Sequence, residues 1–143
     1  MNADRVVFFL PSLSLLKQTL EEWKSNSNNE YATLAICSDK SISKEGDDID
    51  IDINKIKGQN GVSVTTNASE ISEFIDRSEK FVIFCTYHSS GRLVEAAKGA
   101  EVDLSIFDES HNVAQVKMKS YEGFFTKAHD IESRLKLFMT ATP

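Results

Sequence analysis

Long apolar runs are absent from this sequence of 143 residues. A membrane-spanning helix needs roughly 20 consecutive apolar residues, and no segment comes near that length. The beginning of the chain also lacks a basic segment leading into an apolar run, which is the pattern of a secretory signal peptide. Both absences favour a cytoplasmic location.

Cysteine, proline and glycine are all scarce. Cys37 and Cys85 lie far apart in apolar segments and form no CxxC pair, so we expect buried reduced thiols rather than a disulfide or a metal site. With two prolines and six glycines, and with 41% of residues apolar and 27% charged, the composition is that of one ordered globular domain.

Basic charge is also in short supply. The chain has 16 Lys and Arg against 22 Asp and Glu, a formal net charge of −6. A surface that binds nucleic acid through bulk electrostatics is therefore not expected. Local contacts stay open to such a chain, because helix N-termini and loop hydroxyls can hold phosphates whatever the overall charge.

Short apolar segments rich in β-branched and aromatic residues recur along the chain and predict strands. They span Arg5 to Leu10, Tyr31 to Cys37, Val62 to Thr65, Phe81 to Thr86, Asp103 to Phe107 and Leu135 to Met139. Their nearly continuous hydrophobicity is typical of parallel strands that are covered on both faces.

Helical patterns separate several of these strands. Apolar residues from Leu13 to Trp23 fall on one stripe, which predicts an amphipathic helix. Asn67 and Glu70 have the spacing of a capping box before a second helix, and a third helix is expected from Gly91 to Lys98, ended by Gly99. Alternating strands and helices predict an open α/β sheet with right-handed crossovers.

Two segments give mixed signals. Ser38 to Gln59 is polar and acidic, and we interpret it as a surface excursion or an edge ribbon. The segment from Val113 to Ser133 mixes helical and loop patterns, and we expect Phe124 and Phe125 to anchor it to the core.

Polar clusters follow four of the predicted strands. Because ligands of open α/β sheets bind at the carboxyl ends of the strands, we expect these clusters to line one edge. They are Pro11 with Ser12, Thr86 to Ser90, Asp108 to His111, and Thr140 to Thr142.

The most specific cluster is DESH, in which an apolar strand delivers two adjacent carboxylates and then an imidazole. Phosphoryl transfer acts on a magnesium complex of the nucleotide, and this hard cation prefers carboxylate oxygen. Asp108 is the candidate for that metal. Glu109 is the candidate base for the attacking water, a role worth roughly 10²–10⁴ in rate. Acidic residues also commonly cap turns, so this cluster alone leaves both interpretations open.

DESH resembles the Walker B box of superfamily 2 helicases in its DEAH form, with Ser110 in place of alanine. The resemblance implies that His111 senses the γ-phosphate side and couples it to the motor. The segment LFMTATP resembles motif III of the same superfamily. It implies that Thr140 and Thr142 link the Walker B carboxylates to the nucleic-acid face.

The segment FFLPSLSLLKQTLEEW resembles motif Ia, where a strand ends in proline and a helix starts beside the nucleic-acid backbone. The resemblance implies that Pro11 fixes the turn and that Ser12, with the first N–H groups of the helix, accepts a phosphate. Gln18 is a further candidate on that helix.

The segment FVIFCTYHSSGRL resembles motif Ib in its TYxS form. The resemblance implies that hydroxyl groups and one guanidinium hold phosphates, supplied by Thr86, Ser89, Ser90 and Arg92. Tyr87 either stacks on a base or packs inward.

Four motifs in the order Ia, Ib, II and III imply the first RecA-like lobe of a superfamily 2 helicase or translocase. The implied fold is an open, mainly parallel sheet flanked by helices, and the implied ligands are ATP, Mg²⁺ and nucleic acid. The phrases LPSLSLLKQTLEEW, LAICSDKS and TYHSSGRLVEA are similar to restriction-associated helicases, which implies duplex DNA as substrate. Such a lobe works with a second RecA-like lobe, and in this subfamily with nuclease or methyltransferase modules.

A GxxxxGKT-like phosphate loop, which would hold the β- and γ-phosphates, is not found in these residues. We therefore expect the 143 residues to be part of a larger protein, with residues 1–4 as a cloning remnant. The sheet is then incomplete because the strand that bears the loop is missing. The isolated chain is expected neither to bind ATP tightly nor to hydrolyse it, and to self-associate through the open sheet edge.

Two other classes of function compete with this one. A phosphoreceiver domain has the same kind of sheet, but it needs acidic residues where Pro11 and Ser12 stand and a lysine where Thr140 and Ala141 stand. A degenerate lobe that only docks partners is the other, and the intact pair Asp108 and Glu109 speaks against it.

Overall fold

The computed structural model describes residues 3–26, 31–37, 62–108, 128 and 130–139. The described strands are β1 (Arg5–Leu10), β2 (Ala32–Ile36), β3 (Val62–Thr65), β4 (Phe81–Thr86), β5 (Leu104–Phe107) and β6 (Leu135–Phe138). The helices are α1 (Leu13–Asn26), α2 (Ala68–Arg77) and α3 (Ser90–Ala96), and a 3₁₀ turn (Tyr87–Ser89) leads into α3.

The described strands form one sheet in the order β3-β2-β4-β1-β5-β6. Every neighbouring pair is parallel. Strand β1 is central, with Phe9 opposite Cys85 of β4 on one side and opposite Phe107 of β5 on the other. The predicted open, parallel α/β sheet of RecA-like type is confirmed.

Helices cover both faces of the sheet at its central strands, which explains why β1 and β4 are apolar without alternation. All six residues of β4 are buried. On one face the leucine stripe of α1 packs against alternate residues of the strands, such as Val82 and Phe84. On the other face Ile71 and Phe74 of α2 and Leu93 of α3 join a larger cluster. The predicted stripe on α1 is confirmed, since Leu13, Leu16 and Leu20 are fully buried.

The start of α2 differs in one respect from the predicted capping box. Asn67 has an extended backbone and its side chain accepts the amide of Ser69 at 2.8 Å, as an N-cap residue does. The carboxylate of Glu70 does not return to the amide of Asn67. It accepts the hydroxyl of Thr65 instead, and the Asn67 amide donates to the same hydroxyl oxygen at 3.0 Å. The end of β3 therefore supplies the second half of the cap.

Helix α3 begins at Ser90 and ends at Ala96, close to the predicted bounds. Gly99 follows with φ +81°, in the left-handed region where a residue without Cβ carries little strain. The 3₁₀ turn before α3 was not predicted from the sequence.

A carboxylate helps to fix the start of β5. Asp103, predicted as the first residue of this strand, lies just outside it, and its side chain accepts the amides of Asp4 at 3.0 Å and Arg5 at 3.1 Å. The same carboxylate pairs with the guanidinium of Arg134 at 3.8 Å. Asp103 thereby joins the amino ends of β1, β5 and β6.

Both cysteines are buried, as predicted, and neither forms a disulfide. They belong to the clusters on opposite faces of the sheet. Burial raises the pKa of the Cys85 thiol well above its ordinary value. No helix among the described residues is long and apolar enough to span a membrane. The predicted excursion at Ser38–Gln59 and the predicted anchors Phe124 and Phe125 lie outside the described residues.

Candidate functional site

The carboxyl ends of four neighbouring strands, β4, β1, β5 and β6, meet along one edge of the sheet. The four polar clusters singled out in the sequence follow these same strands. Parallel pairing places their starting points side by side. This is the edge at which ligands of open α/β sheets bind.

Asp108 is the first residue after β5, and it is half-buried. Its amide donates to the carbonyl oxygen of Phe9 at 3.0 Å, and its own carbonyl oxygen accepts the hydroxyl of Tyr87 at 2.7 Å. Both backbone groups of Asp108 are therefore bonded to neighbouring parts of this edge. Glu109 and His111, predicted as base and sensor, lie outside the described residues.

The chain leaving β6 runs beside the chain leaving β5. Phe138 is opposite Phe107 in the parallel register, and the amide of Met139 donates to the carbonyl oxygen of Phe107 at 2.9 Å. Thr140 and Thr142 lie outside the described residues. Their proximity to Asp108 stays a prediction, and the parallel pairing up to Met139 supports it.

Ser12 stands between β1 and α1 at the same edge. Its hydroxyl accepts the amide of Leu15 at 3.2 Å, and its carbonyl oxygen accepts the amide of Leu16 at 3.0 Å, so it caps the first turn of α1. The hydroxyl keeps a proton that can be donated to a phosphate oxygen. Pro11 and Ser12 are both half-buried, and Gln18 is exposed in the second turn of α1.

The side chains at the end of β4 and in the segment after it are more buried than a contact with phosphate requires. Thr86 and Ser90 are fully buried, and Ser89 is 6% exposed. The hydroxyl of Ser90 donates to the carbonyl oxygen of Tyr87 at 2.7 Å. Among the described residues, the Thr86 hydroxyl has no partner. In this arrangement the hydroxyls of Thr86 and Ser90 face protein and Ser89 is nearly buried, whereas Arg92 is exposed. The phosphate contacts of this segment stay predictions.

Tyr87 packs inward, the second of the two outcomes considered for it. The residue is 2% exposed, and its ring lies on Phe9 with centroids 6.0 Å apart. A ring buried in this way is not exposed for stacking on a base, and a nucleic-acid contact of Tyr87 stays a prediction. Its hydroxyl bond to Asp108 was not predicted from the sequence.

Arg92 is exposed and is the third residue of α3. Its guanidinium donates to the carbonyl oxygen of Thr66 at 3.3 Å. The start of α3 lies at the carboxyl edge, because this helix follows β4 through a single 3₁₀ turn. The position suits a cation that holds a phosphate at this edge of the sheet.

A row of aromatic rings runs behind this edge and was not predicted from the sequence. Phe9 lies on Phe107 with centroids 5.1 Å apart, and Phe107 lies on Phe138 at 4.9 Å. Each ring comes from the end of a different strand, and these strands are consecutive in the sheet. The signal was in the sequence, since Phe107 and Phe138 each precede a polar cluster closely and Phe9 precedes Pro11 by two residues.

The carboxylate of Asp108 is a donor of the type that suits a magnesium ion. The described residues contain no group of three or more His, Cys, Asp or Glu side chains that could hold a metal. Mg²⁺ keeps several waters and is bound through one or two carboxylates together with substrate phosphates. The half-buried Asp108 at an open strand end supplies a carboxylate of that kind.

Two solved structures of restriction enzymes share this fold. A nuclease-deletion mutant of the Type ISP restriction-modification enzyme LlaGI, in complex with a DNA substrate mimic, superposes with a TM-score of 0.75 at 24% identity, over 99% of this chain and 11% of that one. The ATP-dependent Type ISP enzyme LlaBIII, bound to DNA, gives a TM-score of 0.69 at 22% identity, over 96% of this chain and 9% of that one.

Curated relatives include probable helicases of African swine fever virus. The protein of isolate Tick/Malawi/Lil 20-1/1983 is 27% identical over 143 residues, and that of isolate Pig/Kenya/KEN-50/1950 is 29% identical. The alignments cover 97% of this chain but only 14% of the viral proteins. The model of the family described as "Type III restriction enzyme, res subunit" matches residues 1–143. Since this match extends over the whole chain, the protein belongs to the family of type III restriction enzyme res subunits.

Proposed function

We propose that this chain is the central part of the first ATPase lobe of a DNA helicase or translocase of restriction-modification type. The observation that carries the proposal is the position of Asp108. It leaves the end of β5 between the ends of β1 and β6, at the ligand-binding edge of a fully parallel sheet. The membership of the family and the fold shared with LlaGI and LlaBIII support the same conclusion.

In this proposal Asp108 holds Mg²⁺ directly or through water. Bound there with ATP, Mg²⁺ would neutralise charge on the phosphates that the attacking water approaches. Glu109, the next residue, accepts a proton from that water. His111 contacts the γ-phosphate side and reports its state to the rest of the lobe.

The same edge continues into the proposed DNA contacts. The hydroxyl of Ser12, the first turn of α1, Ser89 and the guanidinium of Arg92 form a series of donors that suits the phosphates of one DNA strand. The charge of −6 makes such local donors more important than the overall field. Thr140 and Thr142 link this surface to the carboxylates after β5.

Other parts of the protein supply the remaining elements of the motor. The chain spans about a seventh of its viral relatives, 14% of their length. A phosphate loop, a second RecA-like lobe and nuclease or methyltransferase modules belong to the proposed whole protein, and a cytoplasmic location follows from action on intracellular DNA. By itself the chain of 143 residues is inactive towards ATP in this proposal.

The test is the substitution Glu109→Gln in the full-length protein that carries this lobe. Loss of the base should lower the turnover of ATP by at least about 10², the low end of the contribution of a positioned base, while nucleotide binding stays nearly unchanged. Glu101→Gln is the matched control, because Glu101 is an exposed carboxylate before β5, at the opposite edge of the sheet. Equal turnover in both variants would exclude an ATPase site here and favour a lobe that only docks partners.

A further inference from the structure

Tyr87 connects the segment after β4 to the segment after β5 through a single hydroxyl group. This hydroxyl donates to the carbonyl oxygen of Asp108 at 2.7 Å, between residues that are 21 positions apart in the chain. Tyr87 is 2% exposed, so water competes little for the bond. The proposed reaction makes no use of this contact.

The ring of Tyr87 is held in place from the side. It lies on Phe9 with an angle of 18° between the planes, and Phe9 lies in turn on Phe107 at 16°. Phe107 continues the row to Phe138, again at 16°. The row crosses β1, β5 and β6 in their order within the sheet. A ring that is stacked against the next strand cannot swing its hydroxyl away from Asp108 without disturbing the row.

Both peptide units that flank the α-carbon of Asp108 are thereby fixed. The amide before it is bonded to the carbonyl oxygen of Phe9 at 3.0 Å, and the carbonyl after it is bonded to Tyr87. Each peptide unit is planar, so two such bonds determine the direction of the Asp108 side chain to within its own rotamers. The second unit also includes the amide of Glu109 and sets the direction in which the chain continues.

The backbone of Tyr87 is fixed as well. Its carbonyl oxygen accepts the Ser90 hydroxyl at 2.7 Å, a bond between two buried residues. The backbone of Tyr87 is therefore attached to the start of α3, and its side chain is attached to Asp108.

We propose that Tyr87 is a positioning residue that aims the Asp108 carboxylate at the bound magnesium nucleotide. The inference rests on the proposed function, since it needs Asp108 to be the metal carboxylate. It assigns to Tyr87 a role behind the site rather than a contact with DNA. Groups that orient a metal ligand from behind it typically change metal affinity or activity by about 10- to 100-fold when they are removed.

The substitution Tyr87→Phe removes the hydroxyl and keeps the stacked ring. Tyr31→Phe is the matched control, because the Tyr31 hydroxyl also donates to a backbone carbonyl, that of Ala3, at 2.9 Å. Tyr31 likewise packs against an aromatic ring, that of Trp23. This second bond lies before β1 and β2, at the opposite edge of the sheet. Both variants lose one similar hydrogen bond, and only one of them loses it at Asp108.

The first measurement is amide hydrogen exchange at Asp108 in the chain of 143 residues, which needs neither nucleotide nor metal. Local opening at Asp108 must break both its amide bond to Phe9 and its carbonyl bond to Tyr87. Loss of the Tyr87 hydroxyl lowers the free energy of this opening by about one hydrogen bond, so Tyr87→Phe should accelerate the exchange by up to about tenfold, while Tyr31→Phe leaves it unchanged. Equal exchange at Asp108 in the two variants would overturn the inference, because the hydroxyl would then not hold this backbone.

The second measurement is turnover in the full-length protein that carries this lobe. Tyr87→Phe should lower kcat by about tenfold and raise the Mg²⁺ concentration for half-maximal turnover by a similar factor, with DNA affinity unchanged. Tyr31→Phe should match the wild type. A loss of DNA affinity without a changed Mg²⁺ requirement, or an equal loss of kcat in both variants, would overturn the inference.

Asp108→Asn separates this inference from the function on which it rests. If Asp108→Asn retains turnover, the proposed function fails, whatever Tyr87→Phe does. If Asp108→Asn abolishes turnover and Tyr87→Phe behaves like Tyr31→Phe, only the positioning role fails.

Discussion

The backbone amide of Met139 donates to the carbonyl oxygen of Phe107 at 2.9 Å. The parallel pairing of β5 and β6 thus continues one residue past the last strand residue of β6, up to the point where both chains enter their polar segments. Two segments that are about thirty residues apart in sequence therefore leave the sheet as neighbours. The separation in sequence is expected, since parallel strands require a crossover of a dozen residues or more.

Substitution of Thr142 by valine in the full-length protein should separate ATP hydrolysis from movement on DNA. Valine has nearly the same shape and lacks the hydroxyl that is proposed to link the carboxylates to the DNA surface. We expect turnover to stay within a factor of about ten and translocation to fall by more, since the lost group serves coupling rather than chemistry. Single-turnover hydrolysis and a triplex-displacement assay measure the two quantities.

Ser133→Ala is the control for Thr142→Val. It removes a hydroxyl at the other end of β6, where Ser133 donates to the carbonyl oxygen of Leu135 at 3.2 Å. If translocation and hydrolysis decline together in Thr142→Val, the hydroxyl does not act in coupling.

Arg92→Gln in the full-length protein should weaken DNA binding in a salt-dependent way. The loss of one cation that neutralises one phosphate reduces the slope of log affinity against log salt by about one. Arg77→Gln is the matched control, because Arg77 is also exposed on a helix but at the end of α2 that leads to the amino end of β4. Fluorescence anisotropy of labelled duplex DNA at several salt concentrations gives both slopes. An equal slope for Arg92→Gln and Arg77→Gln would exclude a phosphate contact by Arg92.

Asp103→Ala should destabilise the chain by about 2 kcal/mol. The carboxylate accepts two backbone amides, those of Asp4 and Arg5, and a hydrogen bond to a charged group is worth roughly 1.5–3 kcal/mol. Its ion pair with Arg134 adds little, because the Arg134 side chain is 74% exposed. Urea unfolding followed by circular dichroism measures the difference.

Glu101→Ala provides the comparison for Asp103→Ala. Glu101 is an exposed carboxylate two residues earlier, and its loss should change the free energy of unfolding by less than about 0.5 kcal/mol. Similar losses in the two variants would mean that the amide bonds of Asp103 contribute nothing specific.

The strands could be predicted from the sequence because their signal is local. Buried parallel strands are apolar on both faces, so β1 and β4 stand out with the bounds that the structure has. The polar clusters were found for the same reason, since a strand end at the ligand edge is followed at once by the residues that work there.

The role of Tyr87 could not be predicted, because it depends on contacts between residues that are distant in the chain. The sequence of its segment indicated only that the ring of Tyr87 either stacks on a base or packs inward. The choice is decided by Phe9 and by the carbonyl oxygen of Asp108, which the sequence does not place beside it. The hydroxyls of Thr86 and Ser90 illustrate the same limit, since their residue types suggest phosphate contacts and their burial depends on how α3 docks.

The outer edge of β6 leads to the last prediction, which concerns self-association of this chain. Among the described strands, β6 pairs only with β5, and its side chains are exposed, with Leu135 at 48%, Leu137 at 47% and Phe138 at 46%. An apolar edge strand of this kind pairs readily with another chain.

A two-fold axis across the edge makes β6 antiparallel to its copy, and residues directly opposite must then face the same side of the sheet. A register centred on Lys136 would oppose two like charges, which is destabilising, so we expect Leu137 to lie opposite Leu137 of the second copy.

Leu137→Lys should abolish the dimer by placing two charges at its centre. Gln18→Lys adds the same charge on the exposed face of α1 and should leave the dimer intact. Sedimentation equilibrium over a wide concentration range compares the three proteins. A monomeric wild-type chain, or equal association of the two variants, would contradict pairing through β6.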